Sequence, residues 1–491
     1  MTHTRKIFVF FVVTLFFSCG SKVITKTSQI KPNVLLLYMD DLRPELATYG
    51  KTQIISPNID RLASKGVKFT NAYCNVPVCG ASRASMLTGM LPTKNRFIDY
   101  KTYIQEETPN AITLPQLFKN NGYVTISNGK INHHLDDRVS DWDQMWRPYA
   151  FDKNNLGLSP NDYWNSIWKD YQQPDNVAKY KATGNGPAYE NADVADSVYV
   201  DGLVTQRMIR NLKMLKKLNK PFFLAAGLLS THLPFKAPKK YWDLYQRNKI
   251  KQPENYNYIP KDAPLVSIGN SGELRYYTGI PKQGQISDST AVNLIHGYYA
   301  AVTYVDALIG QILNELKVQK LDKNTIIVLV ADHGFNLQEH TQWGKYLNYN
   351  SSTQVPLIIY NPFTNDSGSR NALVQLVDVY PTLAQLCGLK LPENQLEGIS
   401  LIPVIKNKNF KGNEHILIKR GNGFTLKTPD FSYTEYILAK DNSITASMLY
   451  DHRIDKSENE NVVNVPKYAD IVIKLHKNLH TAYKENIEGK K

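Results

Sequence analysis

Two runs of unbroken apolar residues frame this chain. Val34-Leu35-Leu36-Leu37-Tyr38-Met39 has no charged or amide side chain on either side of a strand's two-residue repeat, and Ile326-Ile327-Val328-Leu329-Val330-Ala331, after Thr325, reads the same way. A strand apolar on both faces belongs in a parallel sheet covered by helices on each side. Helical patterns lie between the two runs. Ser56-Pro57-Asn58-Ile59-Asp60-Arg61-Leu62-Ala63 opens with an N-cap serine and a first-turn proline, and Gly66 can close it. Tyr299, Val302, Val305, Leu308, Ile309, Ile312 and Leu316 recur at helical spacing just before the second strand. Leu373 to Leu389 reads as a further helix. From about His415 the pattern changes to short alternating runs, Ile416-Leu417-Ile418, Tyr433 to Leu438 and Ser447 to Tyr450, separated by turn residues such as Gly421-Asn422-Gly423. A last helix runs from about Tyr468 to Tyr483. The predicted fold class is α/β: a large, mostly parallel sheet flanked by helices, plus a smaller C-terminal antiparallel sheet with a helix.

Composition narrows the picture without redirecting it. With 491 residues, 42% hydrophobic and 21% charged, the chain can bury a large core, which excludes disordered and collagen-like classes. Four cysteines exclude a disulfide scaffold. The formal charge of +14 suits an acidic partner. No dense basic run, zinc-finger spacing or RNA-recognition pattern accompanies it, so nucleic acid is not the expected partner. Arg5 and Lys6 precede the apolar run Ile7 to Phe17, about half of the ~20 residues a membrane-spanning helix needs, which reads as a signal peptide. Leu15-Phe16-Phe17-Ser18-Cys19-Gly20 resembles a bacterial lipobox. The expectation is a signal peptide over 1–18, lipid on the Cys19 thiol and a polar tether over 19–31. The protein would then be exported and touch a bacterial membrane only through its lipid, in the periplasm or at the cell surface. An ordinary secretory signal with an incidental cysteine is the alternative.

Candidate chemistry begins where the two strands stop. Both end in acids, Asp40-Asp41 and Asp332-His333-Gly334, and open α/β sheets bind ligands at the carboxyl edge of their strands. Adjacent aspartates repel unless a cation lies between them. Asp40, Asp41 and Asp332 therefore suggest a hard-metal site with Ca²⁺ or Mg²⁺ as occupant; the bland alternative is that each pair caps a following loop or helix. A second feature is Cys79-Gly80-Ala81-Ser82-Arg83, followed by Ala84-Ser85-Met86-Leu87-Thr88-Gly89, which reads as a helix with Cys79 in its first turn. That position lowers a thiol pKa and gathers anions on free backbone N–H groups, with Arg83 one turn on as a fixed cation. On residues alone, a cysteine in such a place is more often a buried structural thiol.

Cys-Gly-Ala-Ser-Arg followed by Leu-Thr-Gly resembles the signature of the formylglycine-dependent (type I) sulfatases. The other motifs fall in the same order: Asp40-Asp41 before it, then Gly129-Lys130-Ile131-Asn132-His133, Thr231-His232, Asp332-His333-Gly334 and Trp343-Gly344-Lys345. Asp40-Asp41-Leu42-Arg43-Pro44 is most similar to the iduronate 2-sulfatase branch, and the likeness runs from about Pro32 to Val463. The resemblance implies that a maturation enzyme converts Cys79 to formylglycine (3-oxoalanine). Its hydrated aldehyde attacks sulfur with one hydroxyl and expels sulfate through the other. It also implies one Ca²⁺ per chain, held by Asp40, Asp41, Asp332, His333 and modified residue 79. Arg83, Lys130 and Lys345 would neutralise the sulfate oxygens, His133 would take the proton that frees sulfate, and His232 would protonate the leaving sugar oxygen. His134, Glu339 and His340 lie beside these positions as supporting residues. Ala81 stands where the common family core has proline.

The expected organisation is a catalytic domain over 32–410 and a C-terminal α+β subdomain over 411–491, with Cys74 and Cys387 as free buried thiols. The expected activity is an exported, calcium-dependent sulfatase acting on a uronic acid- or rhamnose-containing glycan, such as ulvan or a glycosaminoglycan. Two other classes stand beside it: a phosphoesterase of the alkaline phosphatase superfamily and a non-catalytic glycan-binding lipoprotein. The phosphoesterases use Ser or Thr and commonly two zinc ions, which Cys79 with Arg83 and a single histidine beside the acids speaks against.

Overall fold

The computed structural model describes residues 31–148 and 170–482, together with Met1 and Lys484. The predicted signal peptide, Cys19 and the tether up to residue 30 lie outside the described residues, as does Tyr483 at the end of the predicted last helix. Eight strands form the main sheet. They are β1 (Asn33–Met39), β2 (Val67–Tyr73), β3 (Val124–Gly129), β4 (Gln144–Trp146), β5 (Phe222–Leu228), β6 (Thr325–Ala331), β7 (Leu357–Tyr360) and β8 (Gly368–Gln375). Their spatial order is β8-β2-β7-β6-β1-β5-β3-β4, and all but β7 run in one direction.

The two apolar runs are neighbours. β1 pairs with β6 in parallel register, Leu36 opposite Val328 and Met39 opposite Ala331, and every residue of both strands is buried. Helices cover the two faces, among them α1 (Pro57–Lys65), α2 (Cys79–Thr88), α3 (Val200–Leu218) and α4 (Asp288–Val318). The predicted α4 stripe, including Val302, Val305, Ile309, Ile312 and Leu316, belongs to the main core. Among the described residues no helix is long and apolar enough to cross a membrane. Cys74, Cys79 and Cys387 are free and buried.

One predicted helix needs correction. Leu373–Gln375 belongs to β8, which pairs in parallel with β2, and the helix α5 spans only Val379–Leu386. A helix starting at Leu373 would place Pro381 in its interior, where the ring clashes with the preceding turn. The Asp378 carboxylate instead accepts from the Gln375 N–H at 3.0 Å and closes the strand-to-helix turn.

From Pro32 onward the chain forms one compact unit. Within it, β9 (Ile416–Arg420), β10 (Gly423–Lys427), β11 (Phe431–Ile437) and β12 (Ile444–Asp451) make a small antiparallel sheet, with α6 (Ala469–Ala482) packed on one face. β9 and β10 are joined by the two-residue turn Gly421-Asn422.

Candidate active site

Strand register dictates which residues meet. β6, β1, β5 and β3 are consecutive and parallel, so their carboxyl ends lie side by side: Ala331 and Leu228 both sit opposite Met39, and Gly129 sits opposite Gly227. The next residues along each strand are Asp332-His333, Asp40-Asp41, the loop carrying His232, and Lys130 followed by His133. Four motifs far apart in sequence thus share one edge. Gly129 allows the close turn there: its φ is 76°, and a β-carbon would run into the Gly227 carbonyl oxygen. Asp201 of α3 holds the β5 exit loop, accepting from the Leu229 N–H at 2.8 Å and the Ser230 N–H at 2.6 Å.

α2 delivers the sulfur to this edge. Cys79 is its first residue, as predicted, and is 3% exposed. A β-carbon at Gly80 would lie 2.7 Å from the Tyr100 carbonyl oxygen, so glycine lets the Asp99–Tyr100 backbone press against the helix start. The Cys79 Sγ is 3.3 Å from His333 Nε2. The expected lowering of the thiol pKa is not found. Burial pushes it up to about 12, outweighing Lys130 and Lys345, because loss of water penalises the thiolate and the nearby Asp40 and Asp332 carboxylates add to that penalty.

Asp40, Asp41, Cys79 and His333 each offer a ligand atom, and these atoms all lie within 4.8 Å of one another. Buried Asp41 Oδ1, 3.3 Å from His333 Nδ1, accepts no hydrogen bond among the described residues. A dehydrated carboxylate oxygen without a donor is the position a hard cation satisfies, so the donor set fits the ion that the resemblance implies. Asp332 lines the same edge with its oxygens engaged: Oδ1 takes the Asp41 and His333 N–H groups at 3.1 and 2.9 Å, and Oδ2 takes Arg83 Nε at 2.9 Å.

The predicted cations are all present and nearly dry. Arg83 also pairs with Asp40 at 3.2 Å, and Lys130 Nζ is 2.6 Å from Asp40 Oδ2. Burial alone would raise the Asp40 carboxyl, but Lys130 and Arg83 outweigh it and hold it well below the usual range. Lys345 Nζ pairs with Asp41 Oδ2 at 2.9 Å. His133, buried beside Lys130, is held well below its ordinary pKa by burial and then by that charge. His232 behaves oppositely. Burial and Lys345 disfavour its charged form, yet Asp41 and Glu273 prevail and raise it to about 9.

Glu273 escapes sequence reasoning. Its carboxylate bridges His232 Nε2 at 3.0 Å and Lys345 Nζ at 3.1 Å from the four-residue helix Gly272–Arg275, where no periodicity or motif marks it. The flanking residues separate by role. His134 stacks on Tyr103 with ring centroids 3.8 Å apart, Glu339 pairs with Arg43 at 2.7 Å, and His340 Nε2 lies 2.9 Å from the Ser457 carbonyl oxygen.

Comparison with known proteins agrees with this geometry. The sulfatase family profile matches residues 32–389, and that of the N-sulphoglucosamine sulphohydrolase C-terminal region matches 338–485. Mouse iduronate 2-sulfatase is 30% identical, covering 90% of this chain and 93% of its own length. An ulvan-active sulfatase from Formosa agariphila is 26% identical over 94% of this chain and 84% of its own. A solved structure in complex with its substrate D-glucosamine-2-N,6-O-disulfate superposes with a TM-score of 0.75 at 20% identity, covering 92% of this chain and 98% of that one, which speaks to the fold. The profile match across most of the chain, with a relative of this identity along nearly its whole length, means that the chain belongs to the sulfatase family and is a sulfuric ester hydrolase.

Proposed function

We propose that this sulfatase is exported, carries formylglycine at position 79, binds calcium, and removes sulfate esters from a uronic acid- or rhamnose-containing glycan of the glycosaminoglycan or ulvan class. The observation that carries the reading is Cys79 itself, at the first residue of a buried helix and ringed by Asp40, Asp41, His333, Lys130 and Lys345. The names of the mouse and Formosa relatives and the +14 charge support a polyanionic glycan as substrate.

Formylglycine would supply a hydrated aldehyde as nucleophile, and calcium held by Asp40, Asp41, His333 and residue 79, with Asp332 behind them, would neutralise sulfate oxygens. The remaining chemistry belongs to the chain. Lys130 and Lys345 present ammonium groups to the sulfate and are anchored by Asp40 and Asp41, so little reorganisation is needed as charge shifts. Arg83, fixed by Asp40 and Asp332, orients residue 79 from one turn along its helix. His133, kept neutral, accepts a proton from residue 79. His232, kept protonated at neutral pH, donates to the departing sugar oxygen.

The test is a peptide mass spectrum on protein from its native host or co-expressed with a maturation enzyme. Trypsin releases Phe69 to Arg83, in which residue 79 is expected as the aldehyde or its hydrate, with sulfate release from sulfated oligosaccharides in parallel. An unmodified thiol under conditions that mature a control sulfatase would overturn the reading. Lipid attachment at Cys19 is proposed with it, and Cys19→Ala is expected to free the protein from the membrane fraction.

A further inference from the structure

We infer that Arg420 forms a subsite, beside the scissile-sulfate pocket, for a second anionic group of the glycan, a carboxylate or a second sulfate ester. The inference rests on the proposed glycan substrate and names what else that substrate must carry.

Arg420 ends β9, at the turn into β10, so the small sheet presents it. Its guanidinium carbon lies 5.0 Å from the centroid of the Tyr346 ring, and Lys345 Nζ lies 5.8 Å from the same centroid. One aromatic ring is thus shared by a sulfate-pocket cation and by Arg420. The ring is held in place by its backbone. Tyr346 has φ 75°, the left-handed region that an aromatic residue avoids, and its N–H donates to the Pro77 carbonyl at 3.3 Å, two residues before Cys79. Strain of this kind persists where the surrounding structure fixes a side chain for a purpose.

Arg420 lacks what the pocket cations have. Arg83, Lys130 and Lys345 each pair with an aspartate. Among the described residues the Arg420 side chain makes no ion pair and no hydrogen bond, and its Nε is buried without an acceptor. Its neighbour Lys419, 4% exposed, likewise forms no ion pair and faces the Phe424 ring at 5.5 Å. The nearby acid, Asp99, spends one oxygen on the Lys101 N–H at 2.7 Å and bridges neither cation. A guanidinium stacked on a ring with its N–H edge unengaged is set to receive a planar or tetrahedral oxyanion in a forked geometry. Sulfated uronic acids and multiply sulfated sugars carry that second anion next to the first.

Calorimetry on the full-length, calcium-loaded chain made without a maturation enzyme separates binding from turnover. Three ligands serve: a sulfated uronic-acid disaccharide, its carboxyl-reduced counterpart, and a carboxyl-reduced disulfated sugar. Wild type is expected to bind one or both of the doubly charged ligands about 10- to 100-fold more tightly than the singly charged one, as one charge-assisted pair provides. Which of the two gains identifies the anion. Arg420→Gln should bind all three alike, and Arg420→Lys should recover part of the preference. The proposal is overturned if Arg420→Gln keeps the wild-type preference, if it weakens all three ligands by one factor, or if wild type shows no preference. Sulfate release by the matured enzyme tests the glycan-sulfatase reading separately.

Discussion

Glu273→Gln isolates a single electrostatic element of the site. The rise of His232 from 6.5 to about 9 corresponds to roughly 3 kcal/mol in favour of the imidazolium, at about 1.4 kcal/mol per pH unit. Glu273 Oε1 lies 3.0 Å from His232 Nε2, where a unit charge contributes about 5 kcal/mol at an effective dielectric of ~20. Glu273 is 22% exposed, and solvent screening of half that energy leaves nearly two pH units, enough to bring His232 down to about 7. Asp41, with Oδ2 at 3.9 Å, goes on favouring the imidazolium against burial and Lys345, so the proton is held more weakly in the variant rather than lost outright. Lys345 keeps Asp41 at 2.9 Å and so stays charged in the variant. The sign follows from the proposed role. His232 acts as an acid, so activity persists below its pKa and fades above it. Wild-type kcat/KM should fall only near pH 9, and that of Glu273→Gln near pH 7, a loss of roughly tenfold at pH 8 with little change at pH 6. The measurement is a kcat/KM profile between about pH 5 and 10. An alkaline limb that stays near pH 9 in the variant, or a loss by one factor at every pH, would refute the assignment.

Three further perturbations probe other levels of the structure. Dialysis of the matured enzyme against a chelator should abolish sulfate release and added Ca²⁺ should restore it, while Asp41→Asn should weaken calcium binding at least tenfold by calorimetry; full activity after verified metal removal would contradict the metal reading. Leu36, fully buried between Ala225 of β5 and Val328 of β6, anchors the strand that ends in Asp40, and Leu36→Ala should cost about 2–5 kcal/mol in urea unfolding.

What the sequence discloses follows from where the information resides. β1 and β6 are legible because burial on both faces leaves no polar position, and their acids stand out against those runs. The helix from Cys79 is legible through small residues closed by Gly89. Four features are not. Strand β8 hides because Leu373-Val374-Gln375-Leu376 fits either period, and only pairing with β2 decides it. The direction of the Cys79 shift hides because a helix start and burial act in opposite senses, and burial depends on everything that packs over the thiol. Glu273 and Arg420 hide because their meaning lies in tertiary neighbours, His232 with Lys345 for one and Tyr346 for the other.

Charge balance at the edge explains why an anion-processing site requires more than its lysines. Asp40, Asp41, Asp332 and Glu273 face Arg83, Lys130, Lys345 and a protonated His232, so the negative and positive groups offset one another. Such a set is stable in a dry pocket because each buried charge has a partner within ion-pair distance. The same balance leaves no surplus to draw in a sulfate ester. A divalent ion among Asp40, Asp41 and His333 would restore two positive charges and satisfy Asp41 Oδ1, a buried oxygen that accepts no hydrogen bond among the described residues. The lysines, already oriented by their aspartates, would then turn toward an arriving sulfate without the cost of ordering them. Strand register brings the acids together, the acids orient the cations, and an ion held by Asp40, Asp41 and His333 would convert a neutral cluster into a receptor for a negatively charged substrate.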